Sequence, residues 1–276
     1  MKDNRVENIQ IHKVGSGKMD ELADKVAVEE PLQIQLLYST STGQMLKDIA
    51  VTMRTPGNDE ELAAGFLFTE GILKDGEDIS EIKRSHTDEN IVQVILKENI
   101  IPVLGNAARN FYTTSSCGVC GKASIDAINT VSVFTLQQDS IFLNAAVLYN
   151  LQDKIKVQQQ VFEDTGGIHA SALFDVNGKF IMLREDVGRH NALDKIIGAA
   201  LMKNKLPLNK CLLFLSGRSS FELVQKAVMA GIKVIVAVGA PSSLAVEMAK
   251  ENNITLIGFL RNERFNIYSG KERIVL

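Results

Sequence analysis

Two thiols three residues apart stand in the stretch Thr113-Thr114-Ser115-Ser116-Cys117-Gly118-Val119-Cys120-Gly121. Residues 122–128 carry a helical pattern, and Ser115 or Ser116 is placed to cap its start. Cys117 would then lie in the first turn. There, unpaired backbone N–H groups and the positive end of the helix dipole favour a thiolate and draw the pKa below ~8.5. Cys120 is near enough to form a disulfide with Cys117 or to attack its sulfur. A Cys-x-x-Cys pair is also half of a structural zinc site, but zinc wants about four ligands. Outside the pair the chain offers Cys211, in an apolar run, and four histidines. That balance favours redox or sulfur chemistry. Thioredoxin-type exchange sets a proline against its cysteines. Here none occurs between Pro102 and Pro207, and no Trp precedes the pair.

His169 follows paired glycines in Thr165-Gly166-Gly167-Ile168-His169, either beside a thiolate as a proton carrier or as a hydrogen-bonded residue holding a turn. A zinc deaminase would need His-x-Glu followed by a Cys pair. Ser171 stands where that Glu should be, and the Cys pair comes first, so no catalytic zinc is expected. Arg184-Glu185-Asp186-Val187-Gly188-Arg189-His190-Asn191 is either a solvated charged face or a constrained loop at a site. Asp186, His190 and Asp194 share a helix face if the helix begins early.

A third group lies at the ends of three apolar runs. The first ends in Ser216-Gly217-Arg218-Ser219-Ser220, where Ser219 and Glu222 make a capping-box pattern. The second ends in Gly239-Ala240-Pro241-Ser242-Ser243 and the third in Phe259-Leu260-Arg261-Asn262-Glu263-Arg264. Ligands of open α/β sheets gather at the carboxyl ends of the strands. Serine-capped helix starts with Arg218, Arg261 and Arg264 suit a phosphorylated, nucleotide-like ligand. The same serines also serve as plain helix caps. No Gly-x-Gly-x-x-Gly or Walker sequence is present.

The elements that must position these groups fall into two halves. In the first, residues 32–38 and 48–54 read as strands around the turn-rich 39–43. Thr55-Pro56-Gly57-Asn58 is a turn, and Asn58 with Glu61 forms a capping box for a helix. Leu62, Ala63, Phe66 and Leu67 line one face of it, and Gly71 is its C-cap. Strands follow over 91–96 and 100–104. The second half reads as a strand over 157–162 and a hairpin of 171–175 with 179–184 about Asn177-Gly178. After it come a helix over 191–202 and then strands 211–215, 233–238 and 254–260 alternating with helices 221–229 and 244–250. That alternation predicts parallel strands with right-handed crossovers. The expected fold class is α/β, α+β overall, with a smaller α+β domain over 1–110 and an α/β sandwich over 111–276.

Over 276 residues, 45% hydrophobic and 23% charged composition excludes wholesale disorder, and a net charge of −3 gives no footprint for polymeric nucleic acid. Apolar runs are strand-length, well short of a membrane span, and three cysteines make no disulfide framework. The polar start lacks the apolar run of a secretory signal. The expectation is a soluble, cytoplasmic protein.

The segments 53–63, 117–121, 165–169, 185–191, 216–218, 239–243 and 258–264, in that order, resemble the FdhD family of formate dehydrogenase accessory sulfurtransferases, or sulfur carriers. The resemblance spans nearly the whole chain. It implies a cytidine-deaminase-like three-layer α/β sandwich that has lost its zinc, behind a smaller α+β domain. It implies that a cysteine desulfurase hands persulfide sulfur to Cys117. The sulfur then goes to the molybdenum (or tungsten) bis-molybdopterin guanine dinucleotide cofactor, before that cofactor enters formate dehydrogenase. The family's cofactor segment maps onto Phe259, Leu260, Arg261, Asn262, Glu263 and Arg264, with Arg218, Ser219 and Ser242 as neighbours from the strand ends. Cys120 either resolves the persulfide or tunes its neighbour. The resemblance also implies a homodimer. Two other classes compete: a cofactor-binding chaperone with structural cysteines, and a thiol-disulfide oxidoreductase.

Overall fold

The computed structural model describes residues 4–85, 88–104, 134 and 141–276. Strands β1 (Val6–Gly15) and β2 (Lys18–Ala27) form a hairpin sheet of their own. A smaller sheet of order β4-β3-β6-β5 follows, built from β3 (Glu30–Thr40), β4 (Gly43–Arg54), β5 (Ile79–Arg84) and β6 (Ile91–Leu96), with helix α1 (Asp59–Thr69) between β4 and β5. Next come β7 (Leu143–Asn144), α2 (Ala145–Tyr149), α3 (Leu151–Lys156) and α4 (Gln160–Thr165). The chain continues through β8 (His169–Asp175), β9 (Phe180–Asp186), α5 (Arg189–Leu201), β10 (Cys211–Leu215), α6 (Phe221–Met229) and β11 (Val234–Ala237). It closes with α7 (Ser243–Glu251), β12 (Thr255–Arg261), β13 (Arg264–Ser269) and β14 (Ile274–Val275), which pairs with β7.

Among the described residues the larger sheet has the order β13-β12-β11-β10-β8-β9. Its centre, β10, β11 and β12, is parallel as predicted, and antiparallel strands flank it on both sides. Alternation along the strands splits the core into two layers. Leu213, Leu215, Ile235, Ala237 and Leu256 face α5, α6 and α7. Leu212, Phe214, Val234, Val236 and Ile257 face Leu148, Leu151 and Ile155 of α2 and α3. Helices, sheet and helices thus form a three-layer α/β sandwich, beside the smaller α+β unit.

Four local expectations change. Residues 100–104 are not a strand: Ile101 and Val103 are exposed, and the segment is tied to the body by Val103 N–H donating to Ile72 O at 3.1 Å. Residues 157–162 are not a strand either. They lead into α4, whose start is capped from β9, because the Glu185 carboxylate accepts from Val161 N (3.3 Å) and Phe162 N (3.0 Å). Asn58 does precede α1, but in a left-handed conformation with no side-chain cap bond. Its expected partner Glu61 is engaged by Arg184 of β9 at 2.5 and 2.8 Å. Glu70 ends the helix and Gly71, at φ 72°, follows it. The hairpin β1–β2 and helices α2 and α3 went unread in the sequence. The boundary expected after residue 110 lies outside the described residues.

Helix α1 is apolar on more than the one face read from the sequence. Leu62, Ala63, Phe66 and Leu67 pack on the smaller sheet, while Ala64 and Phe68 join the core of the larger unit. Its contact with α5 is made at Gly65 and Gly198. A Cβ on Gly65 would fall into the Asp194 carbonyl and 2.9 Å from Gly198 N; one on Gly198 would fall into the Glu61 carbonyl and 2.8 Å from Gly65 N. The backbones touch, so the pair fixes the separation of the two helices.

Buried charges complete the seam. Lys226 of α6 reaches both oxygens of Asp194 (3.0 and 2.9 Å) and Thr69 Oγ1 (2.9 Å), and Thr69 in turn donates to Asp194 (2.8 Å). Burial works against the Lys226 charge, but Asp194 and Glu70 outweigh it and hold that ammonium above its usual range. Nearby, Asp186 meets Lys195 Nζ at 2.7 Å and accepts from Gly188 N (2.8 Å), Thr55 N (3.3 Å) and Asn191 Nδ2 (3.2 Å). The motif segments around Thr55 and Asp186 therefore bind one another.

Two outcomes follow. Gly65→Ala gains up to about 1 kcal/mol of helix propensity, yet the backbone clash reverses the sign, and the urea midpoint falls. Lys226→Met strands the Asp194 carboxylate and costs about 3–5 kcal/mol. The double variant Lys226→Met with Asp194→Leu loses less than Lys226→Met alone. Equilibrium unfolding reads all three.

Candidate functional site

The carboxyl ends of β10, β11 and β12 meet the first residue of β8 and the last of β9, because β8 runs antiparallel to both β10 and β9. The starts of α5, α6 and α7 arrive at the same edge. Beyond the strands the loops remain laced together. Ser216 N donates to Ala170 O (3.0 Å), Gly239 N to Gly217 O (3.0 Å), Ser219 N to Ala240 O (3.2 Å), Ser242 N to Ser219 O (3.0 Å) and Phe259 N to Gly239 O (3.2 Å). Lacing this tight needs a bare Cα at Gly239, where a Cβ would sit 2.9 Å from the Arg218 backbone. The result is a fixed floor under any ligand.

On this floor Ser219 Oγ is buried and has no hydrogen-bond partner among the described residues. Buried hydroxyls are ordinarily bonded, and an orphan costs about 1–3 kcal/mol. The expected Ser219–Glu222 capping box is absent: the N-cap of α6 is Ser220, and it too makes no side-chain cap bond. Instead Ser220 Oγ lies 3.3 Å from His190 Nε2, with Glu222 3.7 Å from the same nitrogen. Ser242 does cap α7, accepting from Ala245 N at 3.3 Å.

Arg218, Arg261, Asn262, Glu263 and Arg264 are exposed at the rim, and Arg261 pairs with Arg264 across the β12–β13 turn. Phe259 is also exposed, and holds φ 55° in a bulge of β12, a conformation uncommon outside glycine. Leu260 turns inward to the α2–α3 layer, so its side chain is spent on the core and not on the rim. His169 is half-buried with its ring against Gly217. Burial first, then the positive Arg189 and the His190 ring, hold its imidazole below the usual range, so it is neutral near pH 7.

Asp186, His190 and Asp194 do not share a face directed at ligand. The helix begins only at Arg189, Asp186 ends β9, and both aspartates are consumed by the buried pairs with Lys195 and Lys226. Arg189 of the charged run lies close enough to His169 to act on its charge, a placement that depends on the pairing of His169 with Asp186 and could not be read from the sequence. Cys117, Cys120 and the helix expected after them lie outside the described residues. For Cys211 burial pushes the thiol up, as does Asp175 against a smaller opposing effect of Lys205, which makes it a poor nucleophile.

The FdhD/NarQ family model matches residues 27–275. The chain belongs to the FdhD/NarQ family. It is 45% identical over 279 residues to the sulfur carrier protein FdhD of Streptomyces avermitilis, covering 98% of this chain and 96% of that one. Against the protein of the same name from Saccharolobus solfataricus the identity is 38% over 270 residues, covering 98% of both. The fold is similar to the crystal structure of a protein assigned as a formate dehydrogenase accessory protein, from Desulfotalea psychrophila. That match has a TM-score of 0.74 and 26% identity, over 98% of this chain and 99% of the other.

In this FdhD/NarQ chain the orphan hydroxyl makes a sharp prediction. Ser219→Ala removes an unsatisfied group and leaves the stability of the free protein equal or raised by about 1 kcal/mol. Urea unfolding without ligand checks it. A loss of stability would show that the hydroxyl is bonded in the free protein.

Proposed function

We propose that this chain is a sulfur carrier of formate dehydrogenase assembly, taking persulfide sulfur from a cysteine desulfurase on Cys117. The receiver is the molybdenum (or tungsten) bis-molybdopterin guanine dinucleotide cofactor, held as substrate at the strand ends. The observation that carries the reading is the rigid strand-end floor with its buried, unpartnered Ser219 hydroxyl. It is rimmed by arginines and an exposed aromatic ring, in a chain whose relatives are named sulfur carriers.

Those groups match the chemistry of a guanine dinucleotide. Arg218, Arg261 and Arg264 pair with phosphate oxygens, bidentate where the fork allows. The Ser219 hydroxyl donates to an oxygen brought down to it, and the starts of α6 and α7 add backbone dipoles. Phe259 offers a face on which a purine stacks. A neutral His169 places a donor and an acceptor at the edge without adding charge.

In the sulfur step the Cys117 thiolate attacks the terminal sulfur of the donor's persulfide. A new S–S bond forms on Cys117, the donor's S–S bond breaks, and the donor cysteine leaves as thiolate. If Cys120 then attacks Cys117 Sγ, the outer sulfur departs as hydrosulfide and a Cys117–Cys120 disulfide remains, which a thiol reductant reopens. The chain would work in the cytoplasm with the desulfurase and formate dehydrogenase as partners; no helix among the described residues is long and apolar enough to cross a membrane.

Two variants separate the halves of the reading. Cys117→Ala abolishes activation of formate dehydrogenase but leaves guanosine diphosphate binding intact. Arg261→Ala weakens guanosine diphosphate binding about tenfold or more and leaves Cys117 able to accept sulfur. Full activation by Cys117→Ala would replace the carrier with a chaperone.

A further inference from the structure

We infer that His190 is a positioning residue for the strand-end site: it holds the Ser220 hydroxyl away from the start of α6 and so keeps the first N–H groups of that helix open to a ligand's phosphate. The inference rests on the reading of this edge as a nucleotide-binding floor. It adds to that reading the group that keeps the floor receptive.

Two helices start at this edge behind a serine N-cap in extended conformation. Ser220 precedes α6 at φ −84° and ψ 166°, and Ser242 precedes α7 at φ −82° and ψ 162°. The backbones match, so the same side-chain cap is open to both. Ser242 makes it, accepting from Ala245 N in the first turn of α7. Ser220 does not, although a serine cap stabilises a helix. What distinguishes them is the neighbour: His190 Nε2 lies 3.3 Å from Ser220 Oγ. The hydroxyl can donate to an unprotonated Nε2 or accept from a protonated one, so the ring holds it in either state.

The ring is itself held. His190 is buried in the first turn of α5. That helix start is tied down by Gly188 N donating to Asp186 (2.8 Å) and by Asn191 Nδ2 donating to Asp186 (3.2 Å) and to Met53 O (2.8 Å). The charged run 184–191 thus reaches the site through one side chain. The tie that joins the two units also sets the imidazole beside α6. On the other side, Ser219 N donates to Ala240 O and Ser242 N to Ser219 O, which fixes the backbone leading into Ser220. The choice left to Ser220 is its side-chain rotamer.

That rotamer governs what α6 offers. Phe221, Glu222 and Leu223 precede the first helical bond, from Val224 N to Ser220 O at 3.2 Å, so their N–H groups find no acceptor within the helix. Such groups, at the positive end of the helix dipole, favour an anion. Next to them Ser219, 1% exposed, keeps a hydroxyl without a partner among the described residues. A phosphate at this point meets the Ser219 hydroxyl and the α6 N–H groups together. A Ser220 hydroxyl in the capping rotamer would take the same N–H groups, so cap and ligand compete. Glu222, the acidic residue of the first turn, lies 3.7 Å from His190 Nε2, so its carboxylate also stands on the α5 side.

Isothermal titration of the full chain with guanosine diphosphate tests the competition. His190→Phe fills the ring's space without a nitrogen and weakens binding about tenfold, because Ser220 turns to cap α6. His190→Gln keeps a polar group for the hydroxyl and binds as the native chain does. Ser220→Ala alone also binds as the native chain does. The double variant of His190→Phe with Ser220→Ala returns to within about threefold of native affinity, since no hydroxyl is left to compete. Circular dichroism checks that each variant is folded, and His190→Leu repeats the test with a smaller side chain. Undiminished binding by His190→Phe and His190→Leu, or a double variant as weak as His190→Phe alone, would overturn the inference and leave the nucleotide reading standing. A native chain that does not bind guanosine diphosphate would overturn both.

Discussion

The backbone contact between α1 and α5 at Gly65 and Gly198 is the constraint on which the rest of the molecule depends. Without side chains there, two helices come together closely enough for Asp194 to serve three elements at once. Its carbonyl meets α1, and its carboxylate is held by Thr69 of α1 and by Lys226 of α6. The same α6 begins at the strand-end floor. A helix apolar all round, α1 can exist only between two layers, and this placement turns the smaller sheet and the larger sandwich into one body. The ion pairs at this seam are costly to break because each partner would be left charged and dry.

Much of the larger unit was legible in the residues. The alternation of short apolar runs with amphipathic helices yielded β10 to β12 with α6 and α7, since buried parallel strands leave a continuous apolar signature. Asn177-Gly178 marked the β8–β9 hairpin by turn chemistry alone. What escaped depended on partners distant in sequence. α4 is capped by Glu185, and Glu61 serves Arg184 instead of its own helix end. The charged run 184–191 read as either a solvated face or a loop at a site. It is chiefly a buried tie between the two units, because Thr55, Asn191 and Lys195 are brought to Asp186 only by the fold. β1–β2 escaped because the ribbon is largely exposed, and its few apolar residues, among them Ile9, Ile11 and Leu22, are outnumbered by charged and polar ones.

At the strand ends the sequence showed which residue types gather, and the structure shows how they divide the work. Ser242 is spent on capping, Leu260 on the core, and Ser219 is left with an unsatisfied hydroxyl. The division could not be read from spacing: Ser219 and Ser220 are adjacent, yet one faces the floor and the other faces His190. A free protein that keeps a buried orphan, a left-handed Phe259 and exposed arginines at one edge holds local costs that a phosphate-bearing ligand would offset.

If the chain carries sulfur on Cys117, an intact mass spectrum taken after incubation with an active cysteine desulfurase and cysteine shows added sulfur on the native chain. That sulfur is removed by dithiothreitol and missing from Cys117→Ala. No added sulfur on the native chain, or equal addition to Cys117→Ala, would rule out a persulfide on Cys117.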